Sequence, residues 1–271
     1  MTSFSLLQNW VTVLTQNIPA DIAVISTQSL VPLQSDPHVY QITPMDAKAM
    51  EKADLIITIG LFFECWMHNS AAPHSPHTTL FKAGAGVDAR LAPTPDPHIW
   101  HDVQKVRQVI KNIANILCKK LPKAAQIIDN NARAYDAELV KLDAWVRGEI
   151  AKTPLEQRKI ITTHDAFYYY GKAYGVTFHA PVGLSTEAEA DSKTVALLIN
   201  QIKTENIKAI FFENLANRNI IRQIADETGI RIQEDDLLYA DSLSEEGGVA
   251  YDYIAMMKHN TTLIVRALMR G

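Results

Sequence analysis

The sequence lacks several features that mark common classes of protein. Only two cysteines, Cys65 and Cys118, occur in 271 residues, so there is no disulfide framework and we expect two half-buried thiols. The apolar runs are short, such as Leu55–Ile57 and Ala209–Phe212, whereas a spanning helix needs about 20 apolar residues. We therefore expect neither a disulfide-stapled scaffold nor an integral membrane protein.

An excess of basic residues is also missing. Lys and Arg total 26 against 30 for Asp and Glu, which gives a net charge of −4 and argues against binding to nucleic acid or to an anionic membrane. The stretch Met1–Phe4 has neither the basic region nor the long apolar region of a secretion signal. Either the protein is cytosolic, or an export signal was removed and Met1 was added.

Helix-like and strand-like patterns alternate along the chain, which predicts an α/β fold with mostly parallel sheets. The predicted helices cover 5–17, 44–52, 62–67, 101–119, 124–150, 166–174, a segment beginning at 192, 217–228 and 249–268. The predicted strands cover 22–25, 54–60, 159–163, 176–178, 207–212 and 230–232.

One predicted helix is unusually long. Residues 124–150 contain no proline, and no glycine before Gly148, so the helix would extend roughly 40 Å. That length is enough to run along two lobes. The sequence therefore predicts an N-terminal α/β lobe over 1–122, a linker helix over 123–151 and a C-terminal α/β lobe over 152–271.

Two histidines lie in a repeated tripeptide. Asp-Pro-His ends at His38 and again at His98, 60 residues later. Proline fixes its own φ and disfavours a helix before it, so each imidazole is expected on a rigid turn. A third histidine, His164, ends the predicted strand 159–163, and ligands of open α/β sheets gather beyond the carboxyl ends of strands.

A metal site built on these imidazoles needs a carboxylate as well. Asp241 is a candidate, but spacing alone does not choose it over Asp235 or Asp236. Taken singly, each of the three histidines is more commonly a surface or hydrogen-bonded residue than a ligand.

The order of the motifs resembles one family along nearly the whole chain. That family is the metal-binding solute-binding proteins of ABC importers, the ZnuA/TroA-like cluster specific for zinc, manganese or iron. The resemblance is carried by Asp36-Pro37-His38-Val39-Tyr40, Thr43-Pro44-Met45-Asp46, Ala53-Asp54-Leu55-Ile56, Gly60-Leu61, Glu64-Cys65-Trp66, Asp96-Pro97-His98-Ile99-Trp100, Thr163-His164-Asp165-Ala166-Phe167, Phe211-Phe212-Glu213 and Tyr239-Ala240-Asp241-Ser242-Leu243.

The resemblance implies a function and a set of ligands. It implies that His38, His98, His164 and Asp241 hold one metal ion in a cleft between the lobes, with limited closure around it. It also implies a periplasmic monomer, without its export signal, that delivers the ion to a membrane permease.

The identity of the metal stays open between zinc and manganese. Zinc accepts nitrogen and oxygen ligands tetrahedrally, while manganese prefers carboxylate and water oxygens. His164 favours zinc, because many manganese members of the family carry Glu there. The Asp241-Ser242 pair, and a loop offering only His68, His74 and His77, favour manganese.

Two rival functions use similar residues. A metal-dependent hydrolase also combines histidines and carboxylates, but His-Glu-x-x-His, Gly-x-Ser-x-Gly and a Gly-rich phosphate loop are absent from the sequence. A surface adhesin using the same fold is the other rival. We expect no enzymatic activity, a supporting role for Glu213 behind an imidazole, and a capping or solvent-facing His101.

Overall fold

The computed structural model describes residues 1–68, 75–91, 94–232 and 234–270. Residues 69–74 of the loop that carries His68, His74 and His77 lie outside these residues, as does the side chain of His68. The chain forms two compact units, Met1–Leu142 and Asp143–Gly271, called here the N-terminal and C-terminal units. The sequence-based division at 122 and 151 stays a prediction.

The N-terminal unit has a small parallel sheet covered by helices. Its elements are α1 (Ser5–Thr15), α2 (Pro44–Lys52), β1 (Leu55–Thr58), α3 (Cys65–His68), β2 (Thr79–Lys82), α4 (Val103–Lys120) and the first part of α5 (Ala125–Ile150). β1 pairs in parallel with β2, in the register Leu55 to Thr79. On its other side, β1 receives the isolated parallel bridge between Thr2 and Ile57.

Apolar spacing explains the helices of this unit. α4 buries a stripe that steps by three and four residues, and Asp102 caps it by accepting a hydrogen bond from the backbone N–H of Gln104. α2 begins with a capping box between Thr43 and Asp46. The predicted strand 22–25 is wrong, because these residues are not in a strand.

The C-terminal unit repeats the α/β pattern. Its elements are the end of α5, β3 (Lys159–Ile161), α6 (Tyr168–Tyr174), β4 (Thr177–His179), α7 (Ser192–Glu205), β5 (Ala209–Ile210), β6 (Phe212–Glu213), α8 (Asn219–Thr228), β7 (Leu237–Leu238) and α9 (Tyr253–Arg270). One sheet has the order β4-β3-β5 and a second pairs β6 with β7, and all these pairings are parallel. The prediction of an α/β fold with mostly parallel sheets is confirmed.

The long helix is present almost as the sequence predicts. α5 has 26 residues and passes through the division between the two units at Leu142 and Asp143. Its apolar face, which includes Leu139, Leu142 and Val146, is buried. Within the described parts of the chain, no helix combines the length and apolar character needed to cross a membrane.

Candidate metal centre

The first Asp-Pro-His turn is held by hydrogen bonds on both sides of its histidine. The backbone N–H of His38 donates to Oδ1 of Asp36 over 2.9 Å. The indole N–H of Trp66 donates to the carbonyl of Pro37 over 2.7 Å. These bonds fix the turn that carries His38, as the fixed φ of proline predicts.

The second turn also fixes the ring of its histidine. Oδ1 of Asp96 accepts from the backbone N–H of His98 over 3.1 Å and lies 2.8 Å from Nδ1 of the same residue. A carboxylate at this distance favours the tautomer with the proton on Nδ1. The lone pair of Nε2 is then available to a metal ion. Both side chains are fully buried.

The two imidazoles of the N-terminal unit face one another. Nε2 of His38 lies 3.2 Å from Nε2 of His98. Two ligand atoms that each lie about 2.0–2.2 Å from a zinc ion at tetrahedral angles are separated by about 3.3–3.6 Å. The observed separation is therefore close to that of two ligands on one ion.

Aromatic rings enclose this pair. The ring of Phe63 packs edge-on against His38, with centroids 4.8 Å apart, and Trp100 packs against His98 at 5.3 Å. Phe63 and Trp100 also contact each other. An apolar shell of this kind limits the access of water to a metal site.

A buried carboxylate supports the turn that carries Phe63. Oε1 of Glu64 accepts from the Ser3 hydroxyl and from the N–H of Ile59, both at 2.7 Å, and Oε2 accepts from the N–H of Gly60 at 3.0 Å. Burial nevertheless raises the pKa of Glu64. Gly60, Leu61 and Phe62 all have positive φ, which is costly for the two residues with side chains.

In the C-terminal unit, His164 lies just beyond β3 and is almost fully buried. Its Nδ1 lies 2.5 Å from Oε2 of Glu213. Oε1 of Glu213 accepts from the backbone N–H groups of Thr163 and His164, over 2.7 and 3.0 Å. The predicted placement of a carboxylate behind an imidazole is thus observed for Glu213, and it leaves Nε2 of His164 available as a ligand.

Asp241 is the carboxylate that the structure places beside His164. Its Oδ2 lies 3.2 Å from Nε2 of His164, and its side chain is buried. Asn260 holds the chain just before it, exchanging hydrogen bonds with the backbone N–H and carbonyl of Tyr239 over 2.9 and 2.8 Å. Of the alternatives, Asp236 forms an ion pair with Arg266 instead.

The charges around His164 change its protonation. Burial alone lowers the pKa of His164, but the carboxylates of Glu213 and Asp241 outweigh burial and raise the pKa well above 6.5. Without a metal, the two carboxylates favour the protonated ring. A bound divalent cation would take over the role of that proton.

Other candidate residues differ from expectation. His101 is fully buried beside Trp100, so the prediction that it caps a helix or faces solvent is wrong, and Asp102 caps α4 instead. Cys65 is an exposed thiol rather than a half-buried one, and Cys118 is partly buried. The sequence carries no signal for Arg90, whose Nη2 lies 2.9 Å from Oδ2 of Asp96.

Known proteins resemble this chain over nearly its whole length. A family model described as ZnuA, zinc-uptake complex component A, periplasmic, matches residues 1–267. The manganese-binding lipoprotein MntA of Halalkalibacterium halodurans is 28% identical over 271 residues, covering 99% of this chain and 87% of MntA. The zinc-binding protein TroA of Treponema pallidum is 32% identical over 243 residues, covering 87% of this chain and 79% of TroA.

Solved structures agree with the sequence matches. The periplasmic zinc-binding protein TroA from Treponema pallidum has a TM-score of 0.88 at 27% identity, covering 98% of this chain and 97% of that structure. A manganese-bound mutant of the periplasmic metal binding protein from Candidatus Liberibacter asiaticus has a TM-score of 0.87 at 25% identity, covering 98% of each chain. The fold expected from the resemblance is confirmed.

Proposed function

We propose a function on the premise that the chain belongs to the family of ZnuA, the periplasmic component A of a zinc-uptake complex. The protein captures one divalent transition-metal ion, zinc or manganese, and delivers it to the membrane permease of an ABC importer. The names of its relatives support both metals, since MntA is described as manganese-binding and TroA as zinc-binding.

The ligands in this proposal are His38, His98, His164 and Asp241. The proposal depends on the orientation of two imidazole rings, each of which is held by a carboxylate so that Nε2 is available to a metal ion. His98 and His164 each have Nδ1 against a buried carboxylate, at 2.8 and 2.5 Å, which leaves Nε2 as the ligand atom. In each unit that Nε2 lies 3.2 Å from a second ligand atom, on His38 or on Asp241.

The number of ligands supports capture rather than catalysis. Catalytic zinc sites combine three protein ligands with an open position for water, whereas closed sites have four protein ligands. Four protein ligands on one ion leave no position for the activated water that a metal-dependent hydrolase requires. The relatives are likewise described as binding proteins.

The ligand set binds both candidate metals but not equally. Three imidazoles and one carboxylate suit tetrahedral zinc, and the Irving–Williams order predicts that zinc binds more tightly than manganese in vitro. Manganese would gain from a bidentate Asp241. Metal supply, rather than affinity, would then decide which ion the importer receives.

The proposal includes a location and a partner. The family description places its members in the periplasm, and we place this protein there as a monomer, one ion per chain. The permease of an ABC importer is the partner that receives the ion. An adhesive role has no observation in its favour.

Calorimetric titration tests the proposal. Zinc and manganese should each bind the wild type at one ion per chain, and His98→Ala should weaken binding severely. His77→Ala is the control, because His77 is exposed. Affinity should also fall as the pH drops, beginning above 6.5, because the pKa of His164 is raised well above that value and protonated imidazole cannot ligate. Unchanged affinity and stoichiometry in His98→Ala would exclude the assigned site.

A further inference from the structure

A chain of polar groups leads from the partly exposed Arg90 to the buried His98 in the N-terminal unit. Nη2 of Arg90 lies 2.9 Å from Oδ2 of Asp96, while Oδ1 of Asp96 lies 2.8 Å from Nδ1 of His98. The two oxygens of one carboxylate are thus divided between a guanidinium and an imidazole. The backbone N–H of Asp96 also donates to the carbonyl of Arg90 over 2.8 Å.

The contacts of its two oxygens with Arg90 and His98 orient the carboxylate of Asp96. Asp96 is completely buried, and a buried charge is costly unless a counter-charge and hydrogen bonds offset it. The guanidinium of Arg90 provides a fixed positive charge beside Oδ2. Held on Oδ2 by Arg90, the carboxylate keeps Oδ1 directed at Nδ1 of His98.

We propose that Arg90 is a positioning residue for metal binding, acting through Asp96 on His98. It selects the tautomer of His98 with the proton on Nδ1, and so keeps Nε2 free of a proton and directed towards the ion. This inference rests on the proposed metal capture. It adds a residue that does not touch the metal and lies two contacts away from it.

Arg90→Met tests the role because it removes the charge and the donors at similar volume. Partners of ligating histidines typically contribute 10–100-fold to metal affinity, and we expect about a 10-fold loss of zinc affinity in Arg90→Met. Arg90→Lys, which keeps the charge, should recover most of that loss. In an Asp96→Asn background, Arg90→Met should cause no further loss, because the intermediate carboxylate is gone.

A second readout requires no metal. Nitrogen-15 NMR of the metal-free wild type at pH 8 should show His98 with Nδ1 protonated, and Arg90→Met should show a mixture of tautomers. Arg107→Met is the matched control. It breaks another Arg–Asp pair of the same unit, with Asp136, in which Nε of Arg107 lies 2.6 Å from the carboxylate. It should change neither zinc affinity nor the tautomer.

The outcomes separate the two proposals. A wild type that binds no zinc overturns the proposed function, and the tautomer measurement then still decides the role of Arg90. A wild type that binds zinc, with unchanged affinity and tautomer in Arg90→Met, overturns the inference alone. An equal loss of affinity with and without Asp96 also overturns it, because Arg90 would then act by another route.

Discussion

The carboxylate of Glu213 contacts both the ring and the backbone of His164. One oxygen lies 2.5 Å from Nδ1, and the other accepts from the N–H of His164 over 3.0 Å. The single side chain of Glu213 therefore fixes both the backbone position of His164 and the orientation of its ring. Both residues are buried, so water does not compete for these bonds.

Replacing Glu213 with Gln should weaken metal binding although the shape is nearly conserved. A glutamine oxygen can serve the backbone donors, but its NH₂ group would then face Nδ1 of His164. Nδ1 would have to accept from that NH₂ group, which places the ring proton on Nε2, where it blocks ligation. We expect a 10–100-fold loss of zinc affinity in calorimetric titration.

The control for this prediction is Glu205→Gln. Glu205 lies in the same unit and pairs with Lys159 at 2.8 Å, away from His164. Its replacement should leave zinc affinity unchanged. If Glu213→Gln and Glu205→Gln bind zinc as tightly as the wild type, Glu213 does not control the ring of His164.

The capping box of α2 should make stability depend on pH. Oδ2 of Asp46 accepts from the N–H and hydroxyl of Thr43 and from the Tyr40 hydroxyl, at 2.8, 2.7 and 2.8 Å. Burial raises the pKa of Asp46, but these bonds outweigh it and lower the pKa below its usual value of 3.8. A lowered pKa means stabilisation that is present above pH 3.8 and lost as the pH falls through the folded-state value.

Asp46→Ala should therefore lower the free energy of unfolding by about 1 kcal/mol at pH 7, a typical effect of losing a helix cap. The difference from the wild type should shrink as urea unfolding is repeated towards pH 3. Glu51→Ala, an exposed position of the same helix, should show no such trend. An Asp46→Ala deficit that is equal at pH 3 and pH 7 would contradict the prediction.

Two helical glycines should respond oppositely to alanine. At Gly171, in α6, an added Cβ would lie 2.4 Å from the carbonyl oxygen of Val176, so the backbone must move. At Gly148, in α5, an added Cβ would meet nothing within 4 Å. Alanine is intrinsically favoured over glycine in helices by about 1 kcal/mol at both positions. Any difference between the two variants therefore comes from the atoms around the added Cβ.

Thermal unfolding of the two variants measures this difference. Gly148→Ala should add up to about 1 kcal/mol to the free energy of unfolding. The unfolding temperature should therefore rise slightly. Gly171→Ala should lower it, because the clash exceeds the gain in propensity. Stabilisation by both substitutions would show that the contact between α6 and Val176 is easily relaxed.

The long helices were the most predictable elements of this fold, and the short strands the least. α4 and α5 follow from apolar residues three and four apart, a pattern repeated over many turns. The predicted strand 207–212 instead divides into β5, which pairs with β3, and β6, which pairs with β7. Nothing local in those six residues encodes a change of sheet, because pairing partners are distant in sequence.

The candidate site shows the same limit. His38 and His98 were visible because proline makes their turns rigid, and His164 because it ends a strand. Asp241 came from the resemblance, since Asp235 and Asp236 are equivalent to it in spacing alone. Arg90 had no signal, because no motif in the sequence marks its contact with Asp96.

Removing the metal should lower the stability of the protein, because the ion binds only the folded state. At a free zinc concentration of 100 times the dissociation constant, linkage predicts about 2.7 kcal/mol of added stability. Thermal unfolding of the wild type with zinc should thus occur several degrees above unfolding with excess chelator. His98→Ala should lose most of this shift, while His77→Ala should keep it, since His77 is exposed. An equal zinc-dependent shift in all three proteins would mean that zinc stabilises the chain from elsewhere, and His98 would then no longer be assigned as a ligand.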